Sequence, residues 1–180
     1  LCEEHLLKKQ SGDFTALVLR PATVCGYSPR MRLDLTVNIL TNHAVNRGEI
    51  KVFGGDQMRP NIHIMDMAEL YVDCLGYPHS KIAGGIFNAG YQNKTVMEIA
   101  ELVKKTAARS MKKQNIGIKV EKTDDNRSYH ISSEKIEKEL GFRAKRRVEF
   151  AVEDMCAAFR DGKIPDSMED KKYYNIRTMK

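Results

Sequence analysis

The amino-acid sequence predicts an α/β or α+β fold built around a mixed sheet. Helix-like segments alternate with short β-forming segments along all 180 residues. The connections between the β-forming segments are long enough for crossovers, which parallel strands require. Hydrophobic residues make up 42% of the chain and charged residues 30%, an ordinary globular balance for one domain, or one and a fraction.

The first part of the chain predicts the end of a helix, a buried strand and a longer helix. Residues 2–9 carry acidic residues early and lysines late, as the helix dipole favours. Residues 14–24 form an apolar run rich in β-formers, and Pro21 indicates that the strand ends there or turns its amide away from the ladder. Residues 34–47 have apolar side chains at helical spacing, and Gly48 follows as a stop.

The middle of the chain predicts further strands, with a helix between two of them. Residues 50–53 alternate and end at two glycines, and residues 62–65 form another short strand. Asp66 and Glu69 have the pattern of a capping box that opens a helix through Leu75. A further strand is predicted over residues 84–89.

The last part of the chain predicts three helices and one strand. A second capping-box pattern, Thr95 with Glu98, leads into an apolar helical stripe. The predicted segments that follow are an alternating strand at 116–121, a helix at 134–140 between Ser133 and Gly141, and an amphipathic helix at 148–159.

Charge and composition narrow the function classes. The net charge is +6, and residues 104–147 hold 14 Lys and Arg against 6 Asp and Glu. Such an excess is typical of chains that bind nucleic acid, acidic surfaces or phosphate-bearing small molecules, and also of solvated helix faces. The four cysteines and five histidines show no metal-ligand spacing, which predicts free thiols in a reducing compartment and no metal site. We expect no membrane span, no secretory signal and no dinucleotide-binding glycine motif.

Two polar segments carry candidate binding residues. Phe53 ends a strand, and a glycine turn separates it from Arg59, an arrangement that suits a nucleotide because a ring can pack on a base and a guanidinium can bind phosphate. In a later polar loop, Arg127 is a candidate second phosphate ligand, and Asp124 or Asp125 could accept from a sugar hydroxyl. A core phenylalanine, a surface arginine and a solvated loop remain the alternatives.

Five motifs in order resemble one family. They are LRPATVCG at 19–26, VFGGDQMR at 52–59, IHIMDMA at 62–68, FNAG at 87–90, and RSY continuing into SEKIEKELGF between 127 and 142. Together they resemble the extended short-chain dehydrogenase/reductase family, in particular the NAD-dependent nucleotide-sugar epimerases and dehydratases. Cys25 and Pro60 stand where that family commonly has Tyr and Asp, which leaves the subfamily open.

The resemblance implies that residues 1–180 are the C-terminal half of a Rossmann-type enzyme. This half would hold the late sheet strands, interleaved with a small α/β substrate-binding region. The N-terminal dinucleotide-binding half would be absent, because residues 2–7 are similar to the helix that follows the family's Tyr-x-x-x-Lys pair, with Glu4 at its acidic position. That pair would lie upstream of Leu1, and the chain as given would be catalytically incomplete.

The resemblance also implies site residues. The backbone of Pro21 and Ala22 would run beside the nicotinamide of NAD. The implied substrate set is Thr23, Asn38 near the diphosphate, Phe53 on the base, Arg59 and Arg127 on the diphosphate, and Asp125 (or Asp124) near the ribose.

The function expected from these residues is nucleotide-sugar binding within an NAD-dependent epimerase or dehydratase. We expect a nucleotide-diphosphate sugar as partner, a homodimer in the intact enzyme, a cytoplasmic location, and neither nucleic acid nor membrane as a partner. One alternative is a standalone or split-subunit nucleotide-sugar binding module without redox activity. The other is a basic nucleic-acid-binding domain, which would use the 104–147 charge excess.

Overall fold

The computed structural model describes residues 1–124 and 127–179. Within them the strands are β1 (Leu17–Pro21), β2 (Thr23–Cys25), β3 (Glu49–Phe53), β4 (Met58–His63), β5 (Gly85–Ala89), β6 (Gln92–Thr95) and β7 (Gly117–Glu121). The helices are α1 (Cys2–Leu7), α2 (Thr36–Arg47), α3 (Ile64–Gly76), α4 (His79–Ile82), α5 (Val96–Met111), α6 (Glu134–Leu140), α7 (Val148–Arg160), α8 (Asn175–Thr178) and the 3₁₀ helix Lys171–Tyr173. No helix of the described ranges is both long enough and apolar enough to cross a membrane.

The strands pair mainly in parallel, which confirms the predicted mixed sheet. β1 pairs with β5, β2 with β4 and β3 with β7, all parallel, and β6 joins β4 antiparallel. The single strand predicted over residues 14–24 is divided into β1 and β2, which belong to different sheets. Ala22 lies at the division and still donates from its amide to the carbonyl of Ala89, over 2.7 Å. The chain therefore changes partner strand within one apolar run.

Helices cover the strands and form the core. α2, α5 and α7 pack against one another, and α2 and α5 also contact β3. Fully buried side chains such as Ile50, Ile99 and Val152 fill that space. A second cluster joins α3 and α6 to β5 through Leu70 and Phe87. The layers are those expected when helices cover a largely parallel sheet.

Local end signals correctly predicted three helix ends. Gly48 and Gly141 follow α2 and α6 with φ of 69° and 72°, the left-handed conformation that glycine adopts without strain. Thr95 Oγ1 accepts from the amide of Glu98 over 3.1 Å, and the Glu98 carboxylate accepts from the amide of Thr95 over 2.7 Å. This is the capping box that the sequence predicts.

The start of α3 was wrongly predicted. The helix begins at Ile64, inside the predicted strand 62–65. Its N-cap is His63, whose Nδ1 accepts from the amide of Met65 over 3.1 Å. Asp66 lies within the helix and caps nothing, because its carboxylate is bonded to residues far along the chain.

Strand β6, helix α4 and the helices of the C-terminal tail had no sequence prediction. β6 is a polar edge strand that begins Gln92, Asn93, Lys94, so it lacks the apolar alternation that indicates a strand. The tail is held by buried Tyr173 and Tyr174, which pack in a cluster with Leu33.

Candidate functional site

Two neighbouring concavities lie where strands end, on either side of the start of α2. We call the first the Thr23 pocket, a space of about 330 Å³ lined by Pro21, Ala22, Thr23, Arg30, Arg32 and Asn38 among others. We call the second the Phe53 pocket, a space of about 190 Å³ lined by Thr36, His43, Lys51, Phe53, Arg59 and Thr123 among others. Leu35 lines the Thr23 pocket, and its chain neighbours Asp34 and Thr36 line the Phe53 pocket. The two spaces therefore share a wall.

The Thr23 pocket contains four of the residues implied by the family resemblance. Pro21 and Ala22 lie at the division between β1 and β2, and Thr23 begins β2. Asn38 is only 3% exposed. Its Oδ1 accepts from the amide of Gly26 over 3.1 Å, and its Nδ2 donates to the carbonyl of Arg32 over 2.9 Å. Asn38 therefore holds the pocket loop in place, and both ends of its amide already have protein partners.

The Phe53 ring stands at the rim of its pocket, 53% exposed, at the last position of β3. A tight turn fixes the backbone there. Gln57 donates from Nε2 to the carbonyl of Phe53 over 3.2 Å and accepts at Oε1 from the amide of Gly55 over 2.7 Å. Gly54 and Gly55 have φ of 77° and 139°, values that favour glycine. An exposed aromatic ring held on such a turn offers a flat apolar face to a ligand.

Arg59 and Arg127 come together beside Phe53. The Arg59 guanidinium donates from Nη1 to the carbonyls of Met58 and Arg127, and it lies 5.4 Å from the centre of the Tyr129 ring. Ser128 Oγ accepts from the amide of Met58 over 2.9 Å, which attaches the polar loop to β4. The structure thus joins the Arg59 side chain to the backbone of Arg127, which lies 68 positions later in the chain.

Of the two candidate ribose ligands, Asp124 lies within the described residues. Asp124 lines a third concavity, of about 450 Å³, with Gly54, Lys122 and Ser128. Gln57 and Thr123 line both this space and the Phe53 pocket, so the two spaces adjoin. Asp125 lies outside the described residues.

Sequence reasoning missed four residues that line the pockets. Arg30 and Arg32 extend from the loop before α2 into the Thr23 pocket, and Arg32 Nε lies 3.0 Å from Asp34 Oδ1. His43 on α2 and Lys51 on β3 line the Phe53 pocket. The signal that could have found His43 is its helical spacing, because it follows Thr36 and Ile39 on the α2 face toward this pocket.

A buried charged network lies behind the site. Asp66 is 1% exposed, and its carboxylate accepts from the amides of Lys145 and Arg146 over 3.1 and 2.9 Å. The Arg146 guanidinium is 2.6 Å from both Asp66 Oδ1 and Glu69 Oε1. Arg146, which belongs to the basic 104–147 segment, is therefore paired with two carboxylates. Its pairing holds the pKa of Glu69 below the usual range of a carboxyl.

His63 belongs to the same network. It is 1% exposed, and its Nε2 lies 3.2 Å from Asp154 Oδ2 on α7. Burial lowers the pKa of this imidazole, although Asp154 and Asp66 act in the opposite direction. A methyl group at Gly26 would come within 3.1 Å of His63 Nε2, so the Thr23 pocket loop rests directly on the histidine.

One Tyr-x-x-x-Lys spacing occurs within the chain, at Tyr77 and Lys81, and sequence reasoning overlooked it. Tyr77 ends α3 with extended backbone, and Pro78 follows, so the two side chains do not share one helix face. Burial raises the pKa of the Tyr77 phenol, with Asp73 acting in the same direction. A tyrosine that serves as a base needs the opposite shift. Neither residue lines the Thr23 or the Phe53 pocket.

Metal binding finds no support in the described part of the chain. No group of three or more His, Cys, Asp or Glu side chains in residues 1–124 and 127–179 is arranged to hold a metal ion. Burial raises the pKa of the three buried cysteines, to about 12 for Cys25 and to about 11 for Cys156, so these thiols stay protonated.

Comparison with known proteins gives both a family match and fold likenesses. Residues 2–90 match the model of the NAD dependent epimerase/dehydratase family. The bifunctional UDP-glucose 4-epimerase and UDP-xylose 4-epimerase 3 of Arabidopsis thaliana is 32% identical over 117 residues, which cover 60% of this chain and 32% of that protein.

Solved structures share the fold over most of the chain. The RMD protein of Pseudomonas aeruginosa, complexed with NADPH, superposes with a TM-score of 0.71 at 14% identity, covering 88% of this chain and 53% of that chain. The UDP-glucose 4-epimerase of Thermotoga maritima, with UDP-glucose, superposes with a TM-score of 0.67 at 22% identity, covering 88% and 50%. The chain therefore spans about a third of the curated relative and about half of these structures.

These findings confirm the Rossmann-type α/β fold and the resemblance carried by the five motifs. Over residues 2–90 the chain belongs to the NAD dependent epimerase/dehydratase family.

Proposed function

We propose that this chain forms the nucleotide-sugar-binding portion of an NAD(P)-dependent nucleotide-sugar epimerase or dehydratase. The observation that carries the proposal is the rim of the Phe53 pocket, where an exposed ring and the Arg59 guanidinium line one cavity and that guanidinium also donates to the backbone carbonyl of Arg127. A ring that packs on a base and arginines that bind a diphosphate are the two groups such a ligand needs. The Thr23 pocket, on the other side of the shared wall, would take the sugar.

The proposed roles of the individual residues are those that the family resemblance implies, except for Asn38. Phe53 would pack on the base, and Arg59 with Arg127 would bind the diphosphate. Thr23 would face the sugar, and Asp125 or Asp124 would bind the ribose. Asn38 would act through the pocket loop, because both ends of its amide are occupied by Gly26 and Arg32.

The cofactor fits this chain only in part. Pro21 and Ala22 give the Thr23 pocket a small, flat wall on which a nicotinamide could pack. In the described ranges no glycine-rich turn leads from a strand into a helix in the way that holds a dinucleotide pyrophosphate. NAD(P), when bound, would supply a hydride acceptor. The chain's own residues would contribute the wall beside it and would bind the sugar nucleotide.

Exposed apolar side chains favour the proposal that a further polypeptide segment packs against this chain. Leu1, Leu6 and Phe14 are exposed, and they line a concavity of about 640 Å³ beside α1. In the described sheet β1 has β5 on one side and no strand on the other. An N-terminal dinucleotide-binding half would cover this edge and face, and the intact enzyme would form a homodimer. A separate subunit that supplies the same half is the split-subunit alternative.

Binding of uridine diphosphate to the purified 180-residue chain tests the proposal. Isothermal titration calorimetry should show binding of UDP that Phe53→Ala and Arg59→Ala each weaken at least about tenfold. The matched controls are Phe150→Ala, a similarly exposed ring on α7, and Arg109→Ala, whose guanidinium pairs with Glu153. Both controls should bind UDP like the parent chain. Equal losses in the controls, or no UDP binding by the folded parent, would contradict the proposal.

Titration with single-stranded DNA distinguishes the nucleic-acid-binding alternative from the proposed function. Several basic residues of the 104–147 segment are paired with acidic side chains, among them Arg109, Arg143 and Arg146. This pairing reduces the positive field that a polyanion would meet. Tight binding of random-sequence single-stranded DNA whose affinity falls steeply between 50 and 200 mM salt would favour that alternative instead.

A further inference from the structure

The Phe53 pocket contains a histidine that none of the proposed roles uses. His43 lies on the face of α2 that carries Thr36 and Ile39, and this face turns toward Lys51 and Phe53 of β3. All five side chains line the same space of about 190 Å³. A ligand ring seated on Phe53 would therefore extend toward His43.

The protonation of His43 follows from its surroundings. Burial lowers the pKa of its imidazole, and the cations Arg47 and Lys51 lower it further, so the ring is neutral near pH 7. A neutral imidazole carries one proton, and its other nitrogen is an acceptor.

The two ring nitrogens are not equivalent. Nδ1 is buried and has no hydrogen-bond partner within the described part of the chain. A buried N–H without a partner is rarer in folded proteins than a buried acceptor without one. We therefore assign the proton to Nε2, which makes His43 a hydrogen-bond donor among the residues that line the pocket.

The other polar groups of the pocket favour the same kind of ligand atom. Lys51 has only donors. The acceptor oxygens of Asp34 are engaged, Oδ1 by Arg32 and Oδ2 by the amide of Asn175. The Oε1 atom of Gln57 is engaged by the amide of Gly55. The described carboxylate and amide oxygens near the ring thus already have partners, whereas the Lys51 ammonium and the His43 ring offer donors, which suit a ligand carbonyl.

We propose that His43 donates from Nε2 to the carbonyl at C4 of uracil or thymine, or at C6 of guanine, when the base stacks on Phe53, so that the pocket selects nucleoside diphosphates with an oxo group at that position over those with an amino group there. Uracil, thymine and guanine present such a carbonyl. Cytosine and adenine present an amino group at the corresponding position, which would face another donor. This inference rests on the proposed function, since it assigns the base specificity of that same site.

The experiment compares UDP with CDP, which differ at the carbonyl or amino group of the base. Calorimetry on the 180-residue chain should give about fivefold to tenfold tighter binding of UDP, the factor that one hydrogen bond supplies. His43→Phe keeps an aromatic ring in the pocket but removes the donor, so the ratio should fall to about one. His43→Gln, which can turn either a donor or an acceptor toward the base, should also reduce the ratio. His5→Phe, on exposed α1, is the matched control and should keep it.

The outcomes distinguish the inference from the function on which it rests. If neither UDP nor CDP binds to the folded chain, the proposed function fails and the inference fails with it. If both bind and Phe53→Ala weakens both, but the His43 variants leave the ratio unchanged, the site stands and the inference is overturned. A parent chain that binds CDP as tightly as UDP would also overturn it.

Discussion

Asn38 is buried behind the Thr23 pocket, and its side-chain amide joins two parts of the pocket loop. Its oxygen holds the amide of Gly26 and its nitrogen holds the carbonyl of Arg32. The family resemblance places this residue near the diphosphate. The contacts instead indicate a residue that shapes the pocket through the loop, so its replacement should change stability as well as binding.

Asn38→Ala should lower the free energy of unfolding by about 1–3 kcal/mol, because it leaves the Gly26 N–H and the Arg32 carbonyl without their partner. Urea unfolding followed by circular dichroism measures this change. Asn115→Ala, in an exposed loop, is the control and should stay within about 0.5 kcal/mol of the parent. Equal stability of the two variants would show that the Asn38 contacts contribute nothing.

The ion pair of Asp66 and Arg146 allows a second comparison between matched residues. Arg146→Met removes the guanidinium from a carboxylate that is 1% exposed, and breaking such a buried pair costs about 3 kcal/mol. Arg143→Met removes an exposed guanidinium from Glu137, and solvent-exposed pairs of this kind contribute little to stability. Chemical unfolding of both variants gives the comparison. Similar losses would mean that the two amides bonded to Asp66 suffice without the guanidinium.

At the scale of elements, the N-cap of α3 couples stability to pH. Burial lowers the pKa of His63, while the unfolded chain keeps the ordinary value near 6.5. As the pH falls below 6.5 the unfolded chain takes up a proton that the folded chain resists. The contribution of His63 to the free energy of unfolding is therefore present above pH 6.5 and is lost as the pH falls toward the pKa of His63 in the folded chain. Protonation of Nδ1 would also remove the acceptor for the amide of Met65.

We therefore expect the free energy of unfolding to fall between pH 7.5 and about 5.5. His63→Asn retains an N-cap acceptor that does not titrate, so its stability should change less over this range. Some dependence of the free energy of unfolding on pH should remain in this variant, because the pKa of His43 is also lowered. His130→Asn, at an exposed position, is the control and should keep the full slope. A variant at position 63 with the parent's slope would contradict this account.

Helix ends with local signals could be predicted from sequence. The Thr95–Glu98 box, Gly48 and Gly141 each depend on contacts within a few residues. Asp66 could not be predicted in this way. It is followed by Glu69 as in a capping box, but its carboxylate is occupied by Arg146, which lies 80 residues later. Long-range pairing thus overrides a local pattern.

The residues of the candidate site also differ in whether the sequence could indicate them. The family resemblance assigned Phe53, Arg59 and Arg127 to one ligand; in the structure Phe53 and Arg59 line one pocket, and Arg59 contacts the backbone of Arg127. His43 and Lys51 gave no motif, because one lies on a helix and the other on a strand that meet only after folding. The packing of α2 against β3 decides which of their neighbours share the pocket.

At the scale of the whole molecule, no tyrosine–lysine pair of the described residues lines the Thr23 or the Phe53 pocket. Tyr77 and Lys81 have the spacing of the family's catalytic pair, but Pro78 and the end of α3 separate them. The raised pKa of the Tyr77 phenol also opposes its use as a base. The interleaving of sheet strands with the binding region fits a fold whose catalytic groups come from another part of the polypeptide.

We therefore expect the purified 180-residue chain to bind a nucleotide sugar without converting it. Incubation with UDP-glucose and NAD⁺ should give no UDP-galactose by chromatography and no absorbance at 340 nm from reduced cofactor. Tyr77→Phe should bind UDP like the parent chain, since Tyr77 lines neither pocket. An intact UDP-glucose 4-epimerase under the same conditions is the positive control. If the chain formed product and Tyr77→Phe abolished it, Tyr77 would be the base, and the assignment of the catalytic pair to another part of the polypeptide would be wrong.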